Sequence, residues 1–157
     1  MTDVTVRGAT PADRDRLRAI QRASLAEPQP ELLDLGLEGI ATCLVAEVPG
    51  AGPAGYALVV PGERWYVAEL AVASAHRREG IGARLLEAVR TRADEAGAAV
   101  TLTARVDDER ARAFYEAAGF VVEERLPDYY DAPDADGPRD GLRFVRSGDR
   151  GSGRTSD

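Results

Sequence analysis

Lysine is absent from this chain of 157 residues, so its basic side chains, the single histidine apart, are all arginines. That absence removes Schiff-base chemistry, every lysine-centred nucleophile and the lysine of a Walker phosphate loop. Cysteine occurs once, at Cys43. No internal disulfide can form, and the apolar run around it (Ala41 to Val48) marks a small core residue rather than a nucleophile. Histidine also occurs once, as His76, which with one distant cysteine makes no His/Cys metal site and is expected to lie exposed in a turn. No apolar run approaches the length of a membrane span, and the N-terminus Met-Thr-Asp-Val-Thr-Val has no signal-peptide character. The expectation is a cytoplasmic chain with no membrane partner.

Positive charge is also short. Asp and Glu number 27 against 20 arginines, for a formal net charge of −7. A nucleic-acid partner needs a basic footprint, so none is expected. An acidic, lysine-free surface stays soluble where salt screens its self-repulsion, which points to a salt-rich cytoplasm. The length and a hydrophobic content of 44% fit one domain with its own core.

What is present centres on residues 65–97. Trp65 to Val72 is an apolar run rich in β-branched and aromatic residues, which predicts a buried strand. Ile81, Leu85, Ala88, Val89, Ala93 and Ala96 recur at helical spacing, and Gly97 supplies the stop. Between them, Arg77-Arg78-Glu79-Gly80-Ile81-Gly82 is a strand-to-helix turn with two arginines at the helix's positive end. Its glycines allow positive φ and close backbone approach, and its free N–H groups suit an anion, most often a polyphosphate. A dinucleotide fingerprint would need a third glycine where Leu85 stands.

The remaining elements follow in order. Val4 to Arg7 alternates as a first strand, and Thr10, Pro11 and Asp13 open a helix with Leu17, Ile20 and Ser24 on one stripe. Glu31 to Leu37 is a short helix or loop. Strands at Ala41–Val48 and Gly55–Val60 form a hairpin across the Pro/Gly-rich residues 49–54. Val100–Val106 is a fifth strand, and Asp107 or Asp108 caps a helix bearing Phe114 and Tyr115 that Gly119 ends. Phe120–Leu126 and Leu142–Arg146 close the domain (1–146), and Ser147–Asp157 reads as a disordered tail. Asp134-Ala135-Asp136-Gly137 has part of a calcium-loop pattern, but Ala132 and Arg143 occupy its first and last ligand positions. No metal is expected.

The pattern R-x-x-G-x-G (Arg77, Gly80, Gly82) after a strand ending Leu70-Ala71-Val72 resembles the pyrophosphate motif of the GNAT superfamily of acetyl-CoA-dependent N-acetyltransferases. The resemblance covers nearly the whole chain. It implies an α/β fold with a mixed, mostly antiparallel sheet splayed between strands four and five, where acetyl-CoA enters as co-substrate. It further implies cofactor contacts from Leu70, Ala71, Val72, Arg77, Arg78, Glu79, Gly80, Ile81, Gly82, Asp108 and Tyr115. Tyr115 would be the acid that protonates the leaving thiolate. On spacing alone Tyr115 is equally a core aromatic of an amphipathic helix.

Tyr129-Tyr130 is similar to the paired tyrosines of the RimI-type branch, the protein N-terminal acetyltransferases, where they wall the peptide entrance. Tyr66, Thr103, Tyr129 and Tyr130 are the implied acceptor-binding residues, though Tyr66 and the pair also suit simple aromatic packing. Strand alternation places Tyr66 and Leu70 on one face of the sheet. Two positions depart from the family pattern: Thr103 stands where a carboxylate base is common, and Asp108 where an asparagine is. Glu69 is then the nearest candidate for the catalytic base, on the face opposite Tyr66 unless a bulge intervenes.

A chain without a strong base is better matched to α-amines, with pKa about 7.7–8.0, than to lysine ε-amines near about 10.4. The expected reaction is direct attack of a protein N-terminal amine on the thioester, with the Val72 N–H polarising the carbonyl. A small amine such as a polyamine or antibiotic is the alternative acceptor, and a non-catalytic acyl-CoA sensor is a third reading. The chain is expected to act as a monomer or homodimer.

Overall fold

The computed structural model describes residues 3–25, 28–130 and 140–147. Its strands are β1 (Thr5–Gly8), β2 (Thr42–Val48), β3 (Gly52–Val60), β4 (Arg64–Val72), β5 (Ala99–Arg105), β6 (Val121–Leu126) and β7 (Gly141–Arg146). They form a single sheet in the order β1-β2-β3-β4-β5-β7-β6, antiparallel except for β4 beside β5. Helices α1 (Arg14–Ser24) and α2 (Pro30–Leu37) cover one face, while α3 (Ile81–Glu95) and α4 (Glu109–Ala117) cover the other. This is the expected mixed α/β arrangement.

Each face has its own core. Leu17, Ile20, Leu33 and Leu37 pack on Cys43, Val45, Tyr56 and Leu58 beneath α1 and α2. On the other side Ile81, Leu85, Leu86, Val89 and Ala93 of α3 meet Leu44, Ala57, Val59, Leu102 and Phe144. The helical period predicted for residues 81–96 is the reason α3 buries one stripe and leaves its charges outside. Cys43 is buried, and burial pushes its thiol up to about 12, as a core residue's would be. The first helix opens with a short 3-10 turn, Pro11–Asp13, whose Asp13 carboxylate accepts from the Thr10 N–H at 2.8 Å.

Two details of the sheet shape the site. β4 and β5 pair only through Arg64–Ala99, Trp65–Val100 and Tyr66–Thr101, although β4 runs on to Val72 and β5 to Arg105. The strands therefore part in mid-sheet. In addition, the β3–β4 register shifts: Leu58 pairs with Glu69 but Val59 pairs with Val67, so Ala68 is an extra residue in β4. The β2–β3 turn is shorter than expected, because β3 already begins at Gly52 in a positive-φ conformation (77°). The calcium-like pattern at residues 132–137 and the tail from 148 onward lie outside the described residues.

Candidate active site

The turn into α3 is built from strand end to helix start. Arg77 Nε donates to the Val72 carbonyl at 3.3 Å, while Arg78 and Gly80 take φ of 66° and 78°. The chain reverses on those two residues, and Gly80 does so without strain. His76 contacts Glu79 at 3.3 Å through Nδ1 and is half-buried on the cleft wall rather than exposed as expected. The first-turn N–H groups of α3 have no intrahelical acceptor. Gly82 is on the cleft wall and also abuts α4. A Cβ there would lie 3.2 Å from Phe114 Cζ, so its smallness lets α4 pack against α3.

Beside this turn lies a cleft of about 660 Å³, walled by Leu70, Val72, Arg77, Ile81, Asp108 and Tyr115 among others. A smaller cavity of about 200 Å³ includes Leu25, Glu69 and Thr103 and shares Leu70 and Tyr115 as walls. The backbone supplies donors between them. Ala73 N–H bonds Ala54, so antiparallel alternation turns the N–H groups of Val72 and Leu70 away from β3. They face the gap where β5 has parted from β4, and a buried amide there requires a partner.

Tyr115 stands at the junction. Its ring packs among Phe114, Phe120 and Phe144 at centroid distances of 5.5, 6.2 and 5.6 Å. The residue is thus core aromatic and cavity wall together. Burial pushes its phenol up to about 12, helped by the negative potential of Asp108. Asp108 also accepts from the Ala111 N–H at 3.0 Å, which makes it, not Asp107, the N-cap of α4.

On the α1/α2 face three hydroxyls converge. The Tyr66 and Tyr130 hydroxyls lie 3.4 and 3.3 Å from Thr103 Oγ1. Tyr129 stacks edge-on against Tyr130 at 4.9 Å, and the Arg105 guanidinium lies 4.5 Å over the Tyr130 ring. All four implied acceptor residues are brought together. One expectation fails: Tyr66 and Leu70 do not share a face. Leu70 packs in the α3-side core, and the bulge at Ala68 reverses the alternation between them. For the same reason Glu69 faces the side on which Tyr66 lies. It is buried and accepts from Tyr56 Oη at 2.8 Å, Gln21 Nε2 at 2.9 Å and the Gln29 N–H at 2.7 Å.

The Acetyltransferase (GNAT) family model matches residues 14–120, from α1 through α4. The chain belongs to the GNAT acetyltransferase family. It is 40% identical over 105 residues to a mycothiol acetyltransferase of Clavibacter sepedonicus, a match covering 67% of this chain but 34% of that protein. Ard1 from Thermoplasma volcanium superposes with a TM-score of 0.77 at 27% identity, over 92% of this chain and 97% of that one. The ribosomal-protein-S18-alanine N-acetyltransferase from Escherichia coli does so at 0.79 and 20% identity, over 92% and 94%.

Enzymes of the GNAT family use acetyl-CoA, and the residues of the cleft suit such a ligand. Arginines and free helix N–H groups stand at one end, outward-facing strand amides in the middle, and a phenol at the far end. No group of three or more His, Cys, Asp or Glu side chains placed to hold a metal is found among the described residues. Sequence reasoning missed Gln21 and Tyr56 as partners of Glu69. The available signal was a glutamine four residues after Leu17, on the apolar stripe of α1.

Proposed function

We propose that this GNAT enzyme acetylates the α-amine of a protein or peptide N-terminus. The observation that carries the reading is the meeting of Tyr66, Tyr129 and Tyr130 around Thr103, next to the cavity that ends at Tyr115. A tyrosine-lined wall, with the Tyr129 and Tyr130 rings set edge to face and hydroxyls gathered at Thr103, suits an extended backbone entering amine first.

Acetyl-CoA supplies the activated acyl group, and this chain supplies position and protons. Arg77, Arg78, Glu79, Gly80, Ile81 and Gly82 form the turn proposed to hold the diphosphate, with Asp108 beside it. The outward N–H groups of Leu70 and Val72 hold the pantetheine arm and polarise the thioester carbonyl, and Ala71 between them anchors the strand. The amine attacks directly, with no covalent enzyme intermediate. Its proton leaves through water held by Thr103 and the two tyrosyl hydroxyls. An α-amine is roughly a tenth neutral near pH 7, so a hydroxyl-bound water serves where an ε-amine would need about 3 kcal/mol more. Tyr115 stays protonated across the working range and returns a proton to the departing thiolate.

Kinship at 40% identity with a protein named mycothiol acetyltransferase favours a second reading, in which the acceptor is a small amine. Acceptor profiling separates the two. Short peptides with free N-termini should be acetylated in preference to free amines. Acetyl-blocked copies of the same peptides should be inert, and equal rates for blocked and free peptides would overturn the first reading.

A further inference from the structure

Glu69 has no free role in a packed core, yet it is one of only four buried polar or charged residues among those described. A buried carboxylate is costly unless donors meet it. Here three donors do, each from a different element. Oε1 accepts from Tyr56 Oη on β3 and from Gln21 Nε2 on α1, and Oε2 accepts from the backbone N–H of Gln29, the residue that caps α2. Ser24 Oγ, at the end of α1, reaches the Val72 carbonyl at 3.4 Å. Leu25, the next residue, walls the small cavity with Thr103 and Tyr115.

We infer that Glu69 is a positioning residue that fixes the α1 end and the α2 start against β4, and so holds Leu25 in the wall of the cavity that adjoins Thr103. The base is then the Thr103-bound water rather than this carboxylate. The Ala68 bulge is what makes the clamp possible, since regular alternation would aim Glu69 toward α3. Both carboxylate oxygens are committed to short bonds, whereas a base must take up and release its proton in every turnover. The role in acceptor binding rests on the reading of the site given above. The clamp itself does not.

Glu69→Gln tests it. The side chain keeps one acceptor oxygen and puts an NH₂ group where a donor now points, so one tie is lost with little change of volume. The expected result is an acceptor KM raised about tenfold, kcat within about threefold of wild type and an unmoved pH profile. In the absence of any substrate, amide exchange across residues 28–37 should accelerate about tenfold, with α3 unaffected. A kcat loss of about a hundredfold with the acid limb of the pH profile abolished would make Glu69 the base and overturn the inference. Unchanged KM and unchanged exchange would overturn it equally. Should Glu69→Gln not fold, Tyr56→Phe removes one donor at nearly constant volume. A clamp predicts a smaller KM rise and the same pH profile, while a base that loses a donor shifts its acid limb upward. If wild type acetylates no peptide, the acceptor reading fails while the exchange comparison still decides the clamp.

Discussion

Tyr66 and Glu69 project from the same face of β4 although three positions separate them. Tyr66 pairs with Val60 and Glu69 with Leu58, and the unpaired Ala68 absorbs the odd step. One face of the strand therefore presents a phenol at the Thr103 cluster and a carboxylate at the α1–α2 junction. Deleting Ala68 would restore regular alternation and send one of the two to the α3 side. The expected cost is about 3 kcal/mol or more, because a buried carboxylate would lose its donors. Urea unfolding measures it, and a variant as stable as wild type would contradict the bulge's role.

Tyr115→Phe removes a proton donor and leaves the ring among Phe114, Phe120 and Phe144. Turnover should fall about 10²-fold or more, with acetyl-CoA affinity within about twofold of wild type. Steady-state rates with a separate binding titration check it. Equal losses in both quantities would make Tyr115 a packing residue only.

Gly82 lines the cleft and abuts the Phe114 ring, which lines it too. Gly82→Ala asks Phe114 to give by a few tenths of an ångström, which offsets the gain of about 0.5–1 kcal/mol that alanine has over glycine in a helix and should leave stability within about 1 kcal/mol of wild type. Gly82→Val should displace the ring and, through its neighbour Tyr115, lower turnover about tenfold or more. Thermal melting and rates for the two variants should therefore diverge. A harmless valine would mean that α4 can move away freely.

Alkaline stability follows from groups held protonated by the fold. Burial raises Cys43 from 9.0 to about 12 and Tyr115 from 10.0 to about 12, and it raises Tyr56 and Tyr66 in the same direction. The folded state binds these protons more tightly than the unfolded chain does. Their contribution is thus complete below about pH 9 and is lost as pH rises toward about 12. The melting temperature should fall steadily above about pH 9, and in Cys43→Ala the fall should begin about one unit later. A flat profile to pH 11 would contradict the burial of these groups.

The strand–turn–helix from Trp65 to Gly97 was legible because apolar period, glycine placement and charge agreed within one local stretch. Spacing alone left Tyr115 equally a core aromatic, whereas the grouping of Tyr66, Thr103 and the tyrosine pair was legible through the family resemblance. The Ala68 bulge was not, since nothing local distinguishes that alanine from Ala71 on the same strand. Without the bulge, Tyr66 was paired with the wrong face-mate. Gln21 and Tyr56 escaped for a different reason: their hydrogen bonds to Glu69 exist only once α1, β3 and β4 are packed together. The packing of Gly82 against Phe114 was not legible either, because the two residues are distant in sequence.

The proposed function depends on the turn from Arg77 to Gly82 holding a diphosphate and so delivering a thioester to Tyr115. Calorimetric titration in concentrated salt tests it most directly, with acetyl-CoA and with acetyl-pantetheine, which lacks the diphosphate. The prediction is a single site for acetyl-CoA, binding of acetyl-pantetheine at least about tenfold weaker, and most of that difference lost in Arg77→Ala. No heat with acetyl-CoA, or equal affinity for the two ligands, would contradict it.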